Sequence, residues 1–224
     1  MRARYDGLTD WYDQYQAGPM REVTALAESL VRVLLPRGVG PALDLGCGTG
    51  RHCETLRSSG YDVVGADLST DQLQRAGSRG QSVVRADASR LPFTDATFRA
   101  VATIMTATDF DDLASVLIEA RRVTMAGGPF VLVMAHPCFG QVFQEGHPDG
   151  SVTVFPGYRD HRWFDDHSLL GDGIRSRVGT MNTSLPVLLN AVSDAGWRLE
   201  RTEEDARTAT VPILLGIRVR AADR

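Results

Sequence analysis

The chain contains no lysine: all 24 basic residues among its 224 are arginine. That absence excludes Schiff-base chemistry on lysine, a lysine general base and the lysine of a phosphate-binding loop. Cysteine is scarce as well. Cys47, Cys53 and Cys138 form neither a CxxC pair nor the even set of a disulfide framework, so they read as reduced and mostly buried thiols. The longest apolar run, 130–135, is too short to span a membrane. The first turns carry Arg2, Arg4, Asp6, Asp10 and Asp13 rather than an apolar signal core, and a cytoplasmic protein without a membrane partner is expected. A net charge of -4 with no run of arginines argues against a nucleic-acid surface, which leaves a small molecule or a protein as partner. Hydrophobic residues at 43% and charged residues at 23% are ordinary for one globular domain with a sizeable core.

What is present is an alternation of short apolar segments and helical patterns. Val23, Leu26, Ala27, Leu30, Val31 and Leu34 recur at helical spacing until Pro36, Gly38 and Gly40 stop the helix, which completes an N-terminal extension over 1–38. Strands are predicted at 41–46, 61–66, 82–86, 98–105 and 129–135, with helices over 51–59, from Ser69 or Thr70 towards Arg79, and over 111–125. Such an order implies a parallel sheet covered by helices on both faces, because parallel neighbours need a crossover. Residues 137–182, rich in Gly, Pro, His, Asp and aromatics, break the pattern and read as a lid or substrate-side insertion. A helix over 184–195 and strands at 197–203 and 211–220 follow, the last two placed to pair antiparallel at the sheet edge. The whole chain, 1–224, is read as a single domain.

The sharpest local signal is Leu43-Asp44-Leu45-Gly46-Cys47-Gly48-Thr49-Gly50 between a strand and a helix. Glycines allow a tight turn and close approach of the backbone to a ligand, while the following helix presents its N–H groups. Arg51 stands where a dinucleotide fingerprint wants a third glycine, and Asp44 would repel phosphates; it suits a cationic ligand. Asp67 ends the next strand, 21 residues after Gly46, where an acid can accept from both ribose hydroxyls. Asp87, after the strand at 82–86, can accept from an adenine amine. Taken singly, Asp67 can also be a helix cap and Asp87 a turn acid. Together the three strand-end acids describe a crevice for an adenosine bearing an amino-acid tail.

With these residues the sequence resembles the class I S-adenosylmethionine-dependent methyltransferases, in particular a bacterial branch acting on small molecules. The resemblance extends through Val63 to Ser69, Asp87-Ala88 with Leu91-Pro92-Phe93, Arg121-Arg122-Val123 with Gly127-Gly128, His136-Pro137-Cys138-Phe139, and Leu188 to Ala191 with Ala195-Gly196-Trp197. It implies a Rossmann-like α/β fold with a seven-stranded, mostly parallel sheet, an antiparallel edge and helices on both faces. It also implies S-adenosylmethionine as cofactor. Asp44 with Gly46, Cys47, Gly48 and Gly50 would hold the methionine portion, Asp67 and Leu68 the ribose, and Asp87 and Ala88 the adenine. Met105 and Thr106 would face the cofactor near the methyl group, and Tyr5, Trp11 and Tyr12 could close over it. Two positions depart from the family's pattern. Arg99 replaces a usual Asp, and Asn182-Thr183 replaces a common His-Arg pair before the last helix.

The expected activity is methyl transfer to oxygen or nitrogen of a small molecule, in secondary metabolism, by in-line displacement. Alternatives left open are the same fold turned to a cyclisation or rearrangement, and a non-catalytic partner subunit. A homodimer is possible. Histidine is the first residue to consider as base, because its pKa lies near neutrality. The candidates are His136 at the end of a strand, where a structural hydrogen bond is the competing role, and His161 or His167 in the insertion. The run 160–167 reads as a solvated lid rather than a metal site. Tyr158, Arg159, Arg162 and Trp163 are the candidates for an acidic or aromatic acceptor.

Overall fold

A computed structural model describes residues 3–140, 143–147, 149, 151–166, 173–206 and 211–222. In chain order these form α1 (Thr9–Ala17), α2 (Arg21–Leu34), β1 (Gly40–Leu45), α3 (Cys53–Arg57), β2 (Tyr61–Asp67), α4 (Thr70–Ser78), β3 (Ser82–Arg85), β4 (Ala100–Ile104) and α5 (Leu113–Val123). They continue with β5 (Pro129–Ala135), β6 (Gln144–Gly146), β7 (Val152–Val154), β8 (Trp163–Phe164), α6 (Arg175–Val178), β9 (Thr180–Met181), α7 (Leu185–Asp194), β10 (Trp197–Glu204) and β11 (Leu214–Ala221).

Seven strands form one sheet in the order β10-β11-β5-β4-β1-β2-β3. The last two strands pair antiparallel as expected; β11 is the strand that reverses, lying between β5 and the outermost β10. Every residue of β4 and β5 is buried, as strands covered on both faces must be. Two apolar clusters sit on either side. One joins α5 and α7 to Phe130, Leu132 and Trp197; the other joins α2 and α3 to Ala42, Val131 and Val133.

Local chemistry explains most boundaries. Ser69 caps α4 by accepting from the Gln72 N–H, and Asp112 caps α5 by accepting from the Ser115 N–H, so α5 starts two residues later than expected. The strand predicted over 98–105 is shorter because Met105 adopts a left-handed backbone, φ 61°, and turns the chain at the carboxyl end of β4. The helix expected over 51–59 is reduced to five residues behind a turn, with no side-chain cap at its start. The insertion is less irregular than its composition suggests. It holds two antiparallel pairs, β6 with β7 and β8 with β9, and the one-turn helix α6.

Asn182 pins this insertion. Its Nδ2 donates to the carbonyls of Tyr158 at 3.2 Å and Asp160 at 2.9 Å, and its N–H reaches Arg162 O at 3.1 Å. Arg99, the other departure, lies just before β4: its backbone N–H donates to Pro41 O at 2.8 Å, as any residue there would, and its side chain lies beside Gly40 at the start of β1.

α1 buries no residue of its own and is held by charge. Asp13 pairs with Arg75 at 2.7 Å and Arg79 at 2.8 Å on α4, and Asp10 pairs with Arg75 too. Residues 3–17 thereby form a strap. On one side Ser69 Oγ donates to Asp6 at 2.6 Å and Gly7 N–H to Asp71 at 2.7 Å; on the other, Tyr5 Oη donates to Asp109 at 3.0 Å and Arg4 pairs with Asp111. The insertion rests on the strap, with the Arg177 guanidinium 4.2 Å from the centre of the Trp11 ring.

Candidate cofactor and acceptor site

Parallel strands leave a crevice at their carboxyl ends where neighbouring crossovers diverge. Here β1, β2, β3 and β4 all end at one cleft of about 230 Å3. Gly46, Asp67, Leu68, Asp87, Ala88 and Thr106 line it, so six of the sequence-predicted cofactor residues come together. Asp109, Asp111 and Asp112 add carboxylates at its β4 side, and the strap contributes Ala3, Arg4 and Tyr5. Five carboxylates and one guanidinium in a small cleft favour a cationic ligand and disfavour a phosphate.

The glycine loop is built by positive backbone angles, φ 77° at Gly46, 52° at Gly48 and 73° at Gly50. Two of these glycines serve the protein's own packing. A Cβ on Gly46 would collide with the Thr106 side chain, whose Oγ1 donates to Gly46 O at 2.9 Å, and one on Gly50 would meet Gln81 at 2.7 Å. Gly48 is different: a Cβ there would meet only the Gln72 Oε1, at 3.7 Å, which leaves its backbone open to a ligand. Cys47 packs inward, its Sγ only 2.6 Å from where a Cβ on Gly65 would stand, and burial pushes its thiol up.

Asp67 bridges two backbone donors, accepting from Gly48 N–H at Oδ2 and Ser69 N–H at Oδ1, both at 2.8 Å. Burial raises its pKa and these hydrogen bonds oppose the rise. Each oxygen keeps acceptor capacity for a ligand hydroxyl. Asp87 spends Oδ1 on Ser89, from N–H at 2.9 Å and Oγ at 2.7 Å, and among the described residues no hydrogen bond goes to its Oδ2. The local roles of these two acids as turn residues and their exposure to the cleft therefore coexist.

Asp44 is not part of the cleft wall. It is 1% exposed at the end of β1, hydrogen-bonded by Cys53 Sγ at 3.5 Å, and burial pushes its carboxyl up to about 7. Met105 is packed against the α2-side cluster, its unusual φ aiming the chain so that Thr106 enters the cleft. Tyr12 is one layer out: its ring meets Tyr5 edge-on at 5.3 Å, and its Oη accepts from Gln16.

The nominated bases lie elsewhere. His136 is 4% exposed; Cys138 N–H donates to its Nδ1 at 3.1 Å, which puts the proton on Nε2, facing Glu204 at 3.1 Å. Both ring nitrogens are thus occupied at the β5 end. His161 is exposed, with Nδ1 3.0 Å from Asn182 O, and His167 lies outside the described residues. Among the acceptor candidates, Tyr158 accepts from Leu185 N–H at 3.0 Å, Arg159 is exposed, and the Arg162 guanidinium covers Phe164 at 3.8 Å. Trp163 meets a residue of the cleft lining, the Arg4 guanidinium standing 3.7 Å from its ring centre.

The titratable group that does face the cleft near Thr106 is Asp109, on the turn after β4. Burial pushes it up to about 7, opposed by the Tyr5 hydrogen bond and the positive charges of Arg175 and Arg4, and reinforced by Asp67. Its sequence signal was the acidic run Asp109, Asp111, Asp112 directly following a buried strand.

The strand order, the glycine loop and the acid-lined crevice are those of the fold of the class I S-adenosylmethionine-dependent methyltransferases. Residues 43–132 match the family described as "Methyltransferase domain", and this part of the chain belongs to it. A demethylmenaquinone methyltransferase of Renibacterium salmoninarum is 35% identical over 160 residues, 69% of this chain and 65% of that protein. A ubiquinone/menaquinone biosynthesis C-methyltransferase of Desulfotalea psychrophila is 38% identical over 45% of this chain and 43% of its own length. The matches thus span less than two thirds of these relatives. Among solved structures, a methyltransferase from Mesorhizobium loti superposes with a TM-score of 0.72 at 24% identity, covering 87% of this chain and 97% of its own. A possible histamine N-methyltransferase from Thermotoga maritima gives 0.70 at 18%, covering 97% and 98%. Those two likenesses speak for the fold alone. Among the described residues no helix is long and apolar enough to cross a membrane.

Proposed function

We propose that the protein transfers the methyl group of S-adenosylmethionine to an oxygen or nitrogen of a small molecule, as in tailoring a secondary metabolite. The observation that carries this reading is the acid-lined cleft at the strand ends, with the backbone of Gly48 open beside it. The residues fit the cofactor. Asp67 would take the ribose, Asp87 and Ala88 the adenine, and the glycine-loop backbone the methionine portion, with the buried negative charge of Asp44 behind it. When bound, the cofactor supplies a methyl group activated by the sulfonium charge.

The chain's own part is to orient, to exclude water and to handle the acceptor's proton. The strap crosses the cleft from Asp71 to Asp111 and shields it. Asp109, fixed by Tyr5, is the group we assign to receive a proton from the acceptor, since a carboxyl near 7 both ionises and accepts at neutral pH. Transfer to carbon is a second reading, favoured by the likeness to the C-methyltransferase of Desulfotalea psychrophila.

Incubating the protein with S-adenosylmethionine and a panel of phenols, amines and quinols, followed by mass spectrometry, tests the reading. Formation of S-adenosylhomocysteine together with an acceptor heavier by one methyl supports it, and nuclear magnetic resonance then separates O-, N- and C-methyl products. With the acceptor so found, Asp109→Asn should lower kcat roughly 100-fold or more while cofactor affinity stays unchanged. The wild-type rate should rise with pH through about 7, as Asp109 ionises. A flat pH profile with an active Asn variant refutes the assignment.

A further inference from the structure

Among the described residues Arg4 carries the one guanidinium that lines the cleft, and it sits in surroundings that suit a cation. Its Nη2 pairs with the Asp111 carboxylate, its Nη1 donates to the Asp109 carbonyl at 3.3 Å, and its planar head lies 3.7 Å from the centre of the Trp163 ring. An organic cation wants these three partners together: the acid supplies charge, the carbonyl accepts an N–H, and the ring face attracts without demanding a direction. The walls of this seat are fixed. Trp163 is set by the pairing of β8 with β9, and its indole packs so closely on Gly179 that a Cβ there would stand 2.3 Å from Nε1. Asp109 belongs to the turn that directly follows the buried strand β4. The occupant is held less firmly. The Arg4 side chain is 40% exposed and that of Asp111 64%, so their ion pair is of the weak, solvent-screened kind.

We infer that this seat recognises the acceptor: the small molecule carries a protonated amine, which displaces the Arg4 side chain into solvent and takes its place between Asp111, the Asp109 carbonyl and the Trp163 ring. Exchanging one cation for another keeps the charge of the cleft unchanged and strands no carboxylate, whereas a neutral or anionic head offers these partners nothing in return for Arg4. Arg4 thereby acts as a stopper that a cation removes, and Trp163 and Asp111 are specificity-determining residues. The assignment rests on the methyl-transfer reading above and names the class of its acceptor, amines rather than phenols or quinols.

Calorimetry on the protein saturated with S-adenosylhomocysteine tests the seat with 2-phenylethylamine, 2-phenylethanol and phenylacetate, which share a skeleton and are cationic, neutral and anionic at neutral pH. The wild type should bind the amine at least about fivefold more tightly than the alcohol, and phenylacetate most weakly. Trp163→Leu should lower the amine-to-alcohol affinity ratio about fivefold, Arg4→Ala should raise it by a similar factor, and Arg4→Lys, which restores a competing cation, should return it to the wild-type value. A ratio is read because a general loosening of the strap or the insertion moves both probes alike. If Arg4 is only a latch between strap and insertion, the ratio stays the same in wild type, Arg4→Ala and Trp163→Leu, and that result overturns the inference, as does phenylacetate binding best. In the methylation panel, a phenol or quinol as the only acceptor also overturns it and leaves the methyl-transfer reading standing. Ratios that shift as stated, with no compound methylated, uphold the seat and sink the reaction. A wild type that binds no S-adenosylhomocysteine ends the methyl-transfer reading together with the acceptor class built on it.

Discussion

Asp44 lies at 1% exposure with one sulfur donor for company, and burial holds its carboxyl at about 7 against an ordinary 3.8. The native state therefore binds a proton at pH values where the unfolded chain has released it. For a raised carboxyl the sign is fixed: the contribution to stability is fully present below the unfolded value and is lost as pH rises through the folded value. Between pH 8 and pH 6, Asp44 should add about 1.4 kcal/mol to the stability of the ligand-free protein, one power of ten in protonation. His52 works the other way. Burial and Arg51 push it down to about 4 from 6.5, so its stability contribution falls as pH drops below 6.5. Replacing Asp44 by Asn removes the first effect and leaves the second. Urea unfolding of both proteins at pH 6 and pH 8 measures the difference, in which His52 cancels. Asp44→Asn should be the more stable protein at pH 8 by a few kcal/mol, with that advantage shrinking by about 1.4 kcal/mol at pH 6. A variant less stable than wild type at pH 8, or an advantage independent of pH, would refute the claim that Asp44 carries an uncompensated buried charge.

Two further substitutions probe how the cleft is held. Gly46→Ala should cost about 2–4 kcal/mol, because the residue combines φ 77° with a collision against Thr106, whereas Gly127→Ala, with φ 69° and open space, should cost about 1 kcal/mol; thermal melts of the two variants give the comparison. Asp13→Ala removes the carboxylate shared by Arg75 and Arg79, so amide exchange over 9–17 should accelerate about tenfold while the core strands keep their protection, as mass-resolved hydrogen exchange will show.

The sheet was legible because its signals are local. Short apolar strands, the glycine turn at 46–50 and acids placed just after strands each follow from neighbouring residues, and Gly46, Asp67, Asp87 and Thr106 indeed meet at one cleft. What was not legible depends on partners distant in sequence. His136 was weighed as a base against a structural hydrogen bond at the end of β5, and the partner that fastens its ring, Glu204, is 68 residues away. Nothing near Asn182 announces that it ties Tyr158 and Asp160 together. α1 shows little apolar periodicity because it is fixed by Asp10 and Asp13 to arginines on α4 rather than by burial. Asp109 was missed for a related reason: an acid in a turn is unremarkable until burial makes it a shifted carboxyl.

The central claim is that the acid-lined cleft holds an S-adenosyl ligand through Asp67. Isothermal titration of the wild type and Asp67→Ala with S-adenosylhomocysteine tests it most directly. The account predicts one site per chain with a Kd of micromolar order, weakened at least about 100-fold in the variant through the loss of two charge-assisted hydrogen bonds. No heat of binding by the wild type at millimolar ligand, or equal affinity in the two proteins, would contradict it.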